Sequence, residues 1–243
     1  MAPYYASKDY ISHTNSSSSA QDRLYQWIRH RTIRVKHKLI ARHQPRGRVL
    51  DIGCGTGEFL SYLKSMGYQT QGVEPSLQAR ELAIRNHSLE VMPDLDRIPA
   101  AEQFQIITLW HVLEHVHDVR ETLKKLHARM SADGLLVIAV PNRESWDALH
   151  YADVWAAYDV PRHLSHFRRK DLHRLLAEHG FTPMDTRRMW FDAPYVSMLS
   201  ESYRGAGAVG ALVKGSIVGG VSNLIAAITR RPTSSSLYLV KKA

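Results

Sequence analysis

The sequence predicts an α/β fold: a seven-stranded, mostly parallel sheet with helices on both faces. Three observations carry this prediction. Short apolar runs rich in Val, Ile and Leu alternate with segments of helical period, as β-α-β units require. The first run passes through glycines directly into a helix, in Val49-Leu50-Asp51-Ile52-Gly53-Cys54-Gly55-Thr56-Gly57-Glu58-Phe59. At 243 residues the chain can hold one large α/β domain with additions.

Residues 1 to 44 read as a polar arm and then a cap helix from Gln21, with Leu24, Trp27, Ile28 and Ile33 on its apolar side. Strand 48 to 52 and helix 58 to 66 follow, the helix stopped by Gly67. Then come strand 69 to 74, helix 76 to 86, a short strand at 89 to 92 and a fourth strand at 104 to 109. Residues 119 to 130 form a helix ended by Ser131-Ala132-Asp133-Gly134, and 135 to 140 an apolar strand stopped by Pro141. Helix 171 to 179, strand 181 to 189 and a closing strand at 236 to 240 complete the domain.

An apolar insertion, 205 to 229, precedes the closing strand. Lys214, Ser216, Ser222 and Asn223 interrupt it, so no run reaches the apolar length of a membrane span. Three readings fit: a helix in a membrane interface, the lining of an apolar substrate tunnel, or a helix packed on the domain. The domain plan is therefore an arm and cap over 1 to 44, a core of 45 to 190 plus 234 to 243, and an insertion over 191 to 233.

The glycine spacing decides the ligand. A dinucleotide fingerprint needs G-x-G-x-x-G, whose third glycine would fall at position 58. That position is Glu58, and a carboxylate there would repel a pyrophosphate. The pattern is instead Asp51-x-Gly53-x-Gly55-x-Gly57, with a second carboxylate, Glu74, at the tip of the next strand. A carboxylate so placed accepts the hydroxyls of a ribose. The pattern resembles motif I of the class I S-adenosylmethionine-dependent methyltransferases. The resemblance implies a Rossmann-like domain that binds S-adenosylmethionine through Asp51, Gly53, Gly55, Gly57, Glu74 and Pro75; Asp94, just past the third strand, reads either as a contact to the adenine amine or as a turn aspartate.

After the fourth strand stands Trp110-His111-Val112-Leu113-Glu114-His115-Val116-His117-Asp118. Ligands of open parallel sheets bind beyond the carboxyl ends of the strands, so Trp110 and His111 belong to the pocket. If the segment turns helical, His111, Glu114, His115 and Asp118 share one face. This stretch resembles the ubiquinone-biosynthesis O-methyltransferases and the wider methyltransferase family 23. Related O-methyltransferases place Glu-x-x-Glu-His here and bind a divalent metal with it. His111 replaces the first glutamate, which favours zinc, manganese or iron over magnesium. A later run, Trp155 to Phe167, also resembles a signature of a bacterial branch and adds His163 and His166. Their positions make His111, His115 and His163, in that order, the candidate bases, one of them oriented by Asp159, and the resemblance implies a metal held by Glu114 and His115 with His163 or His166. Metal, metal-free base and structural roles all remain open for these histidines.

Composition bounds the partners. The single Cys54 excludes an intrachain disulfide and, with an N-terminus lacking an apolar core, predicts a cytoplasmic protein. Its place in the turn suits a small filler, not a nucleophile. A net charge of +9 and an isoelectric point near 9.7 suit an acidic partner. The expected function is methyl transfer to a small-molecule acceptor, most naturally at oxygen, with a quinone-like or lipid substrate and peripheral membrane association allowed. RNA ribose methylation is the alternative, disfavoured because the chain shows no RNA-binding module or aromatic stacking motif. A non-catalytic cofactor-binding protein is the other.

Overall fold

The computed structural model describes residues 20–243, with side chains from His30 onward. Eight helices and seven strands alternate along the described chain. Helix α1 spans Ala20–Ala41, β1 Arg48–Ile52, α2 Glu58–Ser65, β2 Gln69–Val73, α3 Leu77–His87, β3 Glu90–Met92 and β4 Phe104–Trp110. Helix α4 (Val119–Arg129), β5 (Met130–Pro141), α5 (Trp146–Tyr151), α6 (Arg169–Glu178) and β6 (Phe181–Met189) follow. Helices α7 (Asp192–Tyr203) and α8 (Ala208–Ile228) precede β7 (Ser235–Lys242). The strand order is β3-β2-β1-β4-β5-β7-β6. The chain divides inside β4 into two compact units, up to Ile107 and from Thr108.

In the first unit β1 pairs parallel with β2, and β2 with β3. Val49 and Leu50 of β1 are fully buried, because a strand covered on both faces can expose neither side of its pleat, and Leu60 of α2 is fully buried too. Ile33, Leu39 and Ile40 of α1 are buried, while Leu24, Trp27 and Ile28 and the arm before residue 20 lie outside the described side chains. The Ser76 hydroxyl caps α3 by accepting from the Ala79 amide.

In the second unit β7 runs antiparallel between β5 and β6, with Ile138 opposite Tyr238 and Arg187 opposite Leu237. The turn expected at 131 to 134 is absent. Strand β5 starts at Met130, whose carbonyl accepts from Lys242 Nζ at 2.7 Å.

The insertion is also more regular than its sequence suggests. Lys214, Ser216, Ser222 and Asn223 do not break α8, which is one continuous helix of 21 residues. It is long and apolar enough, by length and composition alone, to cross a bilayer, which corrects the expectation of too short a run. It packs along α7 through Ala211, Gly215, Gly219, Ser222 and Ala226, all buried. A Cβ on Gly215 would stand 2.4 Å from the Met198 nitrogen, and one on Gly219 2.4 Å from the Pro194 Cα. Backbones so close admit only glycine.

Below this seam lies a buried carboxylate. Asp147 accepts from Ser222 Oγ at 2.7 Å through one oxygen, and from Trp155 Nε1 at 2.8 Å and Ser234 Oγ at 2.7 Å through the other. It ties α5, the loop after it, α8 and the approach to β7 together.

Candidate active site

The first unit builds a loop of left-handed glycines at the tip of β1. Gly53, Gly55 and Gly57 have φ of 69°, 57° and 85°. A side chain there would be strained, and at Gly57 it would also collide, since a Cβ would fall 2.6 Å from Leu89 Cδ1. Above Gly55, apart from its chain neighbours, no atom of the described residues lies within 4 Å of the Cβ position, so that glycine leaves space for a ligand to meet backbone.

Glu74 clasps this loop. Its Oε2 accepts from the Gly55 amide and its Oε1 from the Ser76 amide, both at 2.9 Å. Burial raises the Glu74 pKa, opposed by those two amides and by the Arg80 guanidinium. Asp51 is equally buried at the end of β1. Pro75 is exposed, and Asp94 turns its carboxylate onto the amides of Asp96 and Arg97 at 3.0 and 3.1 Å, capping its own turn. The Cys54 thiol is pushed up by burial, then by the charges of Asp51 and Glu74, so it stays a protonated filler under Gly72.

In the second unit the residues after β4 do not form the expected α-helical face. His111 takes φ of +56°, a left-handed conformation uncommon outside glycine, and only Leu113–His115 makes a short 3₁₀ turn. Asp118 accordingly leaves the group and caps α4, accepting from the Glu121 amide at 2.9 Å. The half-buried Trp110 ends β4.

His111 sits between two carboxylates. Its Nδ1 lies 3.3 Å from Glu114 Oε1 and its Nε2 3.3 Å from Asp192 Oδ2. Burial lowers its pKa, but hydrogen bonding and charge from Asp192 and Glu114 outweigh that and push it up to about 10. An imidazolium cannot take a proton, which argues against His111 as the base. Asp192 was invisible to sequence reasoning, because nothing local links the first turn of α7 to a strand end 81 positions earlier.

Glu114, His115 and His163 bring one ligand atom each within 4.8 Å of one another. Their tautomers are fixed by backbone carbonyls, which can only accept. His115 Nδ1 donates to Arg162 O at 3.0 Å and His163 Nδ1 to Ala157 O at 2.8 Å, so each neutral ring carries its lone pair on Nε2. The Glu114 side chain is only 1 % exposed, and its Oε1 is paired with His111 Nδ1. Two imidazoles and one carboxylate are a donor set suited to a transition metal or zinc. His166 is not part of this set, since its Nε2 lies 2.9 Å from Tyr158 O. The loop is held in place because the Glu114 carbonyl accepts from the Leu164 and Ser165 amides. Asp159 pairs with Arg162 at 2.6 Å, and its other oxygen lies 3.8 Å from His163 Nε2.

Known proteins resemble this chain in family and fold. A family model described as a methyltransferase domain matches residues 24–186, most of the chain and both histidine segments. The chain belongs to this methyltransferase family. The chain is 36 % identical over 117 residues to a ubiquinone biosynthesis O-methyltransferase of Bradyrhizobium diazoefficiens, and 35 % identical over 119 residues to one of Rhodopseudomonas palustris strain TIE-1. Each alignment covers 46 % of this chain and 46 % of the relative, so the match spans about half the length of those proteins. Among solved structures, the magnesium protoporphyrin IX methyltransferase of Synechocystis PCC 6803 with bound S-adenosylhomocysteine superposes with a TM-score of 0.64. The superposition covers 99 % of this chain and 97 % of that one at 12 % identity. The Burkholderia thailandensis 1,6-didemethyltoxoflavin-N1-methyltransferase gives 0.56, 98 %, 91 % and 18 % in the same order. These likenesses establish the expected Rossmann-like fold.

Proposed function

We propose that the chain is an S-adenosylmethionine-dependent methyltransferase acting on an oxygen of a small, lipophilic acceptor of quinone-like or lipid type. The observation that carries this reading is the open left-handed loop of Gly53, Gly55 and Gly57, clasped by the buried Glu74. A carboxylate has lone pairs beyond those its two amides use, so Glu74 can also accept ribose hydroxyls. Asp51 lies toward the methionyl end by family resemblance, and the exposed Pro75 flanks the ribose. Asp94 and Trp110 are weaker candidates, Asp94 because its carboxylate is already committed to its own turn.

The cofactor, when bound, supplies a methyl already activated on a sulfonium sulfur. The protein then needs to hold the acceptor oxygen in line and relieve it of its proton. Burial holds the His163 pKa below its ordinary value, so its imidazole is neutral at pH 7 and suited to act as the base. Protonated His111 offers a donor instead of a base. In the alternative reading, a divalent ion held by Glu114, His115 and His163 would occupy the His163 lone pair and supply, in place of a base, a Lewis acid that acidifies the acceptor hydroxyl. The burial of the Glu114 carboxylate beside the two imidazoles favours that ion. We place the protein in the cytoplasm, at the membrane surface where such an acceptor resides.

Calorimetry tests the central claim. Binding of S-adenosylmethionine and its demethylated product, without NAD binding, is expected; binding of NAD alone would sink it. Mass spectrometry of ligands carried through purification then identifies the acceptor.

A further inference from the structure

Helix α8 has two unlike faces. One is the buried small-residue seam against α7. The other exposes Val209, Val213, Ile217, Val221, Leu224 and Ile228 at spacings of three and four, between 37 % and 76 % accessible. Leu212 widens this stripe, and Ser216, Gly220 and Ala227 on the same arc add nothing charged. An apolar stripe running about 30 Å along a surface helix exceeds what a monomeric protein leaves to water without a purpose.

The chemistry around the stripe names its occupant. From Ser202 to Ala243 there is no Asp or Glu, while Lys214 stands at the margin of the stripe by the 3.6-residue period. Arg230 and Arg231 follow the helix directly and are exposed. At the same end Arg188 donates to the Thr229 carbonyl at 3.1 Å and lies 5.8 Å over the Trp190 ring. The Trp190 carbonyl accepts from Asn223, which brings Trp190 and the exposed Phe191 beside the helix end. Apolar residues flanked by aromatic rings and arginines match the layering of a bilayer interface, where tails, headgroup boundary and anionic phosphates follow within a few ångströms. A protein partner for such a surface would need an acidic rim around an apolar groove, and a second copy of this chain would bring its own cations against these.

The helix cannot cross the bilayer while its glycine seam and Ser222 remain engaged with α7 and Asp147. We infer that α8 is a monotopic anchor that lies flat on an anionic lipid surface, with its Val209-to-Ile228 stripe among the acyl chains and Arg188, Arg230 and Arg231 on the lipid phosphates. The anchor lies beyond residue 186, outside the family match, and stands independently of the proposed methyl transfer.

Flotation of the full chain with phosphatidylcholine vesicles, with and without phosphatidylglycerol, tests it. The expected result is recovery with the anionic vesicles that falls as salt rises. The double variant Arg230→Gln/Arg231→Gln should lower the partition coefficient roughly thirtyfold on anionic vesicles, at about 1 kcal/mol per arginine. Ile217→Asp/Leu224→Asp should abolish recovery while leaving S-adenosylmethionine affinity unchanged. Both pairs lie on the exposed side, so circular dichroism and melting should match the parent. Equal recovery of parent and Ile217→Asp/Leu224→Asp would overturn the proposal. So would a stable dimer, by light scattering, that Ile217→Asp dissociates without any vesicle binding by the parent.

Discussion

Glu74 Oε2 accepts the Gly55 amide at 2.9 Å, so the second acidic strand tip holds the conformation of the first glycine turn. A single carboxylate thereby shapes the loop and, in the proposed reading, also meets the ribose. Glu74→Gln keeps the size but removes the charge, and cofactor affinity should fall by roughly tenfold to a hundredfold, the worth of a charged hydrogen bond. Titration calorimetry reads this directly.

The same residue sets a pH dependence. Burial raises the Glu74 pKa, so its stabilising contribution is fully present below the unfolded-state value and is lost as pH rises through the folded one. Ligand binding runs oppositely, because only the ionised carboxylate accepts both ribose hydroxyls. Cofactor affinity should therefore decline as pH is lowered through the raised value, and Glu74→Gln should flatten that decline. An unchanged slope in the variant would remove Glu74 from the ribose.

Two glycines of one motif should fail differently. Gly57→Ala meets Leu89 and Ala83 at positive φ, and should cost stability by about 2 kcal/mol or more. Gly55→Ala meets nothing among the described residues, so it should cost only the strain of about 1 kcal/mol yet weaken cofactor binding by a larger factor. Thermal melts with and without S-adenosylhomocysteine separate the two.

The metal reading divides the histidines. After loading with zinc or manganese and dialysis, elemental analysis should find about one ion per chain in the parent and in His166→Asn, and almost none in Glu114→Gln or His163→Asn. Retention by Glu114→Gln, or loss by His166→Asn, would reject the ligand set.

Asp147 should matter without touching substrate. Asp147→Asn replaces one acceptor oxygen by a donor facing Trp155 Nε1 or a serine hydroxyl, and should cost about 2–4 kcal/mol in denaturant unfolding. Hydrogen exchange in α8 should rise with it, whereas cofactor affinity measured below the unfolding transition should hold.

What the sequence made legible followed from local rules. Alternating apolar runs marked β1 to β4, and the missing glycine at 58 marked the ligand class, because strand period and turn sterics act within a few residues. The cluster around Glu114 was half legible. Its spacing suggested a helical face, but the left-handed backbone at His111 and the 3₁₀ turn re-aimed each side chain, and His163 replaced His166 because Tyr158 O occupied the latter. Asp147 and Asp192 were silent, since their partners come from elements far along the chain. The insertion misled by composition: Lys214 and Ser216 read as interruptions, yet both sit on exposed turns where a helix tolerates them.

The place of β7 between β5 and β6 bears on how the protein is made. Strand β6 has no neighbour in the second unit except β7, and β7 is synthesised only after α7 and α8. While the ribosome adds that stretch, β5 and β6 each present an open edge, and the apolar stripe of α8 emerges before either edge is closed. A nascent chain in this state is sticky on two counts until β7 arrives to close both edges.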